Sequence, residues 1–160
     1  MNALVITAVV TLALVVGAAI AIRRADDLIE RWHADPMTAA RPATPNSYRY
    51  APLDADARAD EESPVYSASV DDLARTFDTV ARSDARVDVL AGAALDGHVT
   101  YIQRSALFSF PDYVSVRFID RGDGTSTFAA FSRSRYGKSD LGVNKKRLQR
   151  WVGTVDQSLG

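Results

Sequence analysis

The chain contains no cysteine, which excludes disulfides, zinc-thiolate sites, thiol nucleophiles and iron–sulfur ligation together. Histidine is nearly absent as well. His33 and His98 are the two in 160 residues, and neither stands at metal-ligand spacing from another strong ligand. No metal or cofactor is therefore expected. Ser105 and Ser139 have no evident histidine base, so a hydrolase triad is unsupported. A phosphate loop is also missing: Gly137-Lys138-Ser139 lacks the glycine required five positions earlier, where Ser132 stands. Lysine is scarce, 3 against 16 arginines. The net charge of −1 does not suit a general nucleic-acid binder. That sum hides an asymmetry, because residues 51–69 carry five acids and one base whereas residues 128–160 carry seven bases and two acids.

What is present begins with residues 3 to 22, an uncharged run whose polar side chains are Thr7 and Thr11. As a helix it is expected to cross a hydrocarbon core of ~30 Å as a single-pass anchor. A cleavable signal peptide is the rival reading, but the n-region Met1-Asn2 has no basic residue and the run is long for an h-region. Arg23 and Arg24 flank its C-terminal end, which by the positive-inside rule puts the following domain on the cytoplasmic side; a periplasmic domain is the alternative.

Residues 1–24 are thus expected to be an anchor. Residues 25–68 read as a juxtamembrane stub and tether, with prolines at 36, 42, 45, 52 and 64 and few large apolar residues to bury. Trp32, Tyr48 and Tyr50 are candidates to dock on the domain. Residues 69–160 form the predicted α+β domain. Ser69 with Asp72 makes a cap for an amphipathic helix over Val70 to about Ser83. Alternation at Val87–Leu90, a turn at Asp96-Gly97, and three further apolar-alternating segments to Arg133 predict four antiparallel strands. Leu148, Trp151, Val152 and Val155 form the stripe of a C-terminal helix. The expected fold is a transmembrane helix, then helix, four-stranded antiparallel sheet, helix.

Candidate binding residues concentrate late in the chain. Arg104, Arg117, Arg133 and Arg135 fall on or beside strands, with Lys138, Lys145, Lys146 and Arg147 around the final helix start, and period two places Arg133 and Arg135 on one sheet face. A nearby helix start offers unpaired N–H groups, and arginine forks beside it would suit a carboxylate or phosphate. The competing reading has these arginines paired with Asp88, Asp112, Asp120 or Asp140 on a solvated face. Ser139, Asp140 and Asn144 are capping residue types and Gly142 permits a tight turn, so that segment reads either as a helix start or as a pocket wall. The aromatic series from Tyr101 to Phe131 reads as core.

The blocks Tyr101-Ile-Gln-Arg-Ser-Ala-Leu-Phe-Ser-Phe-Pro-Asp112 and Arg133-Ser-Arg-Tyr-Gly-Lys-Ser-Asp-Leu-Gly-Val-Asn144 resemble the domain of unknown function 1499 family of bacterial and plastid proteins. Arg31-Trp-His-Ala-Asp-Pro36 and Arg41-Pro-Ala-Thr-Pro-Asn46 resemble its proteobacterial membrane-anchored branch. The resemblance spans Arg31 to Trp151 and implies a fold and an anchor in a bacterial inner membrane, without naming a reaction. The expected function is a non-catalytic binding domain for an anionic small molecule or a membrane protein partner. Its ligand candidates are Arg104, Arg133, Arg135, Ser139, Asp140 and Asn144. One alternative is an enzyme using Asp140 or Asp112 as acid/base with arginine stabilisation. The other is a membrane or envelope assembly component.

Overall fold

The computed structural model describes the backbone of residues 2–24 and 27–160, and their side chains except at 19 and 21–24. The side chains of Arg23 and Arg24, on which the expected orientation rests, lie outside the described residues. The elements are α1 (Ala3–Arg24), α2 (Ile29–Trp32), β1 (Ser47–Ala51), β2 (Glu61–Glu62), α3 (Val70–Ser83), β3 (Val87–Ala93), β4 (His98–Arg104), β5 (Pro111–Asp120), β6 (Ser126–Ser134) and α4 (Val143–Leu159).

Two parts of the expected fold are corrected. The sheet is six-stranded and mixed, in the order β2-β1-β6-β5-β4-β3, not four-stranded and antiparallel. The added strands come from the proline-rich stretch: β1 pairs antiparallel with β6, and β2 pairs parallel with β1. Prolines at 45, 52 and 64 flank Ser47-Tyr-Arg-Tyr-Ala without interrupting it, so its ladder hydrogen bonds stay available. The membrane span expected over residues 3 to 22 is the second correction. Among the described residues no helix is long and apolar enough to cross a membrane. A helix, α1, forms there all the same.

The main core lies between one sheet face and α3 with α4. Ser69 caps α3, its hydroxyl accepting from the Asp72 N–H at 3.1 Å, and Leu73, Phe77 and Ala81 then face the sheet. From α4 come Leu148, Trp151, Val152 and Val155. Trp151 meets Phe77 and Tyr101 edge-to-face, with centroids 6.1 and 5.8 Å apart, and its indole N–H donates to Asp84. The β3–β4 hairpin closes through a single 3-10 turn, Ala94–Asp96, and Gly97 at φ 83°, a conformation that disfavours any residue with a Cβ.

β6 is buried along nearly its whole length, as expected of a strand covered on both faces. Its outward set, Ala129, Phe131 and Arg133, shares a face with Arg49 of β1, Tyr113 and Ser115 of β5, and Thr100 and Ile102 of β4. The segment from Asp27 to Ala39 lies across this second face as a strap. Trp32 is its anchor, 7% exposed and stacked on Tyr113 at 4.0 Å.

Candidate functional site

The candidate residues separate onto the two faces of the sheet. Beneath the strap, Arg133 is buried. Its Nη2 donates to the Trp32 carbonyl at 2.7 Å and to Ser115 Oγ at 3.1 Å, and its guanidinium lies over the Trp32 and Phe131 rings. Arg49 packs on Phe131, with Cζ 3.7 Å from the ring centroid. Among the described residues neither arginine has a carboxylate partner, and each leaves a buried Nε–H unpaired. Burial, reinforced by the nearby Arg49 charge, pushes the Arg133 guanidinium down to about 10. Desolvation therefore weighs on this layer without a full ionic return. Arg133 is a strap-holding residue, inaccessible to a ligand while the strap is in place.

Arg104 and Arg135 meet at the rim of the same face, where β4 and β6 end. The carboxylate of Asp27 sits between them. Arg104 Nη2 donates to Asp27 Oδ2 at 2.5 Å, Arg135 Nη1 donates to Oδ1 at 3.3 Å, and the Tyr113 hydroxyl also donates to Oδ1. Burial and this carboxylate push the Tyr113 phenol up to about 12, so it remains a donor at neutral pH. Three donors from three strand ends thus converge on one carboxylate, and the Asp27 and Arg135 side chains are 18% and 20% exposed.

Ser139, Asp140 and Asn144 lie on the opposite face, at the start of α4. Ser139 Oγ accepts from the Leu141 N–H at 3.3 Å. Asp140 accepts from the Gly142 and Asn144 N–H groups at 3.1 and 2.8 Å and from Asn144 Nδ2 at 2.7 Å, closing the helix start. Asn144 is fully buried, and its Nδ2 also donates to the Asn46 carbonyl at 2.9 Å. Its Oδ1 accepts from Ser132 Oγ and Arg147 Nη1. Arg147 completes this clasp through Nη2 to Asp112 Oδ2 at 2.6 Å and Nε to Gln103 Oε1 at 2.5 Å. Neither carboxylate named for acid/base chemistry is idle: Asp112 neutralises Arg147, and Asp140 caps α4.

Asp27, Arg49 and Asn46 are not among the expected site residues, Tyr113 is expected only as core, and Arg147 only as part of the basic set at the final helix start. Arg147 carried a usable signal, since it falls on the Asn144–Leu148–Trp151 stripe, where a lone cation implies a buried acid. Arg49 alternates between Tyr48 and Tyr50, a strand pattern masked by the prolines around it. Asp27 carried none.

The strap also joins the two histidines. Their rings stack at 4.0 Å, and His33 Nδ1 is 2.9 Å from Thr100 Oγ1. Gly92 makes room, because a Cβ there would lie 2.9 Å from His33 Cε1. Among the described residues no cluster of three or more His, Asp or Glu could hold a metal ion. Burial and then the neighbouring His33 lower the His98 pKa, Arg117 adds to this, and Asp35 and an Ala34 backbone hydrogen bond oppose it. The unfolded chain therefore binds the His98 proton more readily. The resulting stability is complete above the usual histidine value of ~6.5 and is lost as pH falls through it toward the lowered folded value. Thermal melts should show Tm falling between about pH 7.5 and about pH 5.5, with a shallower fall in His98→Gln. An unchanged slope in that variant would remove His98 from the account.

The profile of the family described as protein of unknown function DUF1499 matches residues 38–155. The chain belongs to that family. No curated protein matches it. The match begins after Arg31-Trp-His-Ala-Asp-Pro36 and includes β1, β2 and the whole clasp around Asn144.

Proposed function

We propose that this member of the family is a binding domain for a small anionic ligand, taken between Arg104, Arg135 and Tyr113. The observation that carries the reading is Asp27, whose carboxylate is cradled there by three donors and stands in for the carboxylate or phosphate of a ligand. Charge-assisted bonds of this kind are favourable in a half-buried setting, where water competes poorly. The polar layer under the strap, with its unpaired Arg49 and Arg133 Nε–H groups, lowers the cost of lifting Asp27 away. Asp27 is then an internal competitor, and a ligand binds to the extent that it outcompetes it.

The test is titration calorimetry with phosphate and with citrate on the full chain and on Asp27→Ala. Removing the competitor should tighten binding of one of these anions about tenfold or more, equivalent to ~1.4 kcal/mol. Adding Arg104→Gln and Arg135→Gln should abolish it. If Asp27→Ala binds neither anion and only melts earlier, the cluster is a latch for the strap and the ligand reading fails.

A further inference from the structure

The strands set apart two ends of the molecule with different surfaces. β4 and β6 run parallel to one another, so the 105–110 loop and the 135–142 loop emerge at the same end, beside the start of α4. Phe110 links them by contact with Tyr136 at 5.8 Å, and Phe108 packs on Phe110. At the tips Leu107 is 74% and Leu141 is 87% exposed. The sequence reading assigned Phe108 and Phe110 to the core, but they form this separate, partly exposed cluster.

The charge on this end is basic. Arg86, Lys138 and Lys146 are exposed, while three carboxylates at the same end are engaged, Asp84 with Arg150 and Trp151, Asp112 with Arg147, Asp140 with the α4 start; exposed Asp88 near the start of β3 offsets one of the cations. The opposite end carries exposed Asp54, Asp96, Asp120 and Asp123 against exposed Arg121. Arg86, Ser109 and Leu141, the non-glycine residues with positive φ among those described, all lie at the basic end. Leu141 is held outward at φ 53°, a conformation unusual for a branched side chain and one that persists where surroundings or function demand it.

We infer that this basic, leucine-tipped end docks on an anionic lipid surface, with Leu107 and Leu141 entering the headgroup–acyl boundary and Lys138 and Lys146 contacting lipid phosphates. Exposed apolar tips ringed by cations match both halves of such an interface, apolar depth and negative surface charge. A protein partner would be expected to bury a broader apolar area than two loop tips. The inference does not depend on the Asp27 site, because it uses different side chains.

α1 presents exposed apolar side chains of its own, so co-sedimentation with vesicles does not discriminate. A local probe does. In the full chain, Leu107→Trp places an indole at the tip, and vesicles of phosphatidylglycerol with brominated acyl chains report its depth. Emission should shift to the blue and be quenched about twofold or more, more weakly on phosphatidylcholine, and salt should reverse the effect within the screening range. Lys138→Glu and Lys146→Glu should each weaken the apparent affinity about fivefold. Trp32 and Trp151 are buried and supply the background, measured on the parent chain. An indole that stays in water while the protein is vesicle-bound overturns the proposal, as does equal quenching on neutral and anionic lipid. Equal thermal melts of probe and parent ensure that the readout is of the folded protein.

Discussion

Asp112→Ala should destabilise the protein by about 3–5 kcal/mol, the usual cost of leaving a buried ion unpaired. The Asp112 and Arg147 side chains are 16% and 4% exposed, so water cannot replace the lost carboxylate at Arg147 Nη2. The damage extends further, because Arg147 also bonds Ser132, Asn144 and Gln103. Moving its guanidinium loosens the seat of α4 on the sheet. Removing the charge as well, in Asp112→Ala with Arg147→Met, should recover much of the loss, since apolar replacement of a buried pair is often near neutral. Denaturant melts of the two variants measure both quantities. A single-mutant loss below about 1 kcal/mol would mean that the pair behaves as a surface contact, and would reopen Asp112 as a group free for chemistry.

A chain beginning at residue 65 should lose its cooperative transition, whereas one beginning at Asp27 should keep it. The shorter chain lacks β1 and β2, which leaves the inner edge of β6 without a ladder partner, and it lacks Tyr50, 4% exposed in the main core. It also uncovers the second sheet face. Ile102, Tyr113 and Phe131, each buried, would meet water together with Arg133 and its lost Trp32 carbonyl. Uncovering an aromatic or branched side chain costs roughly 1.5–3 kcal/mol each, and a domain of this size holds only about 5–15 kcal/mol in total. Circular dichroism with thermal and denaturant melts decides it. A cooperative melt in the 65–160 chain close to that of the longer one would show that strap and edge strands add little.

Local chemistry determined a good part of this protein. Ser69 and Asp72 set the start of α3, Asp96-Gly97 the hairpin, and period-two alternation the segments of β3 to β6, because caps, turns and pleats are decided by neighbours along the chain. The absence of cysteine and the pairing of His, Ser and Gly with no suitable partners already narrowed the chemistry. The tertiary structure decided the rest. Ser47–Ala51 is a strand because β6 offers an edge, not because its proline-flanked neighbourhood favours one. Arg133 and Arg135 share a face as alternation requires, yet one is sealed under Trp32 while the other reaches Asp27, a difference set by a segment about a hundred positions away. Asp112, Asp140 and Asn144 look alike as polar residues near a helix start, and only packing makes the first a counter-ion, the second a cap and the third a buried hub. Long-range contacts assign such roles because a charged or polar side chain takes its energy from whatever surrounds it, and sequence position does not specify the surroundings.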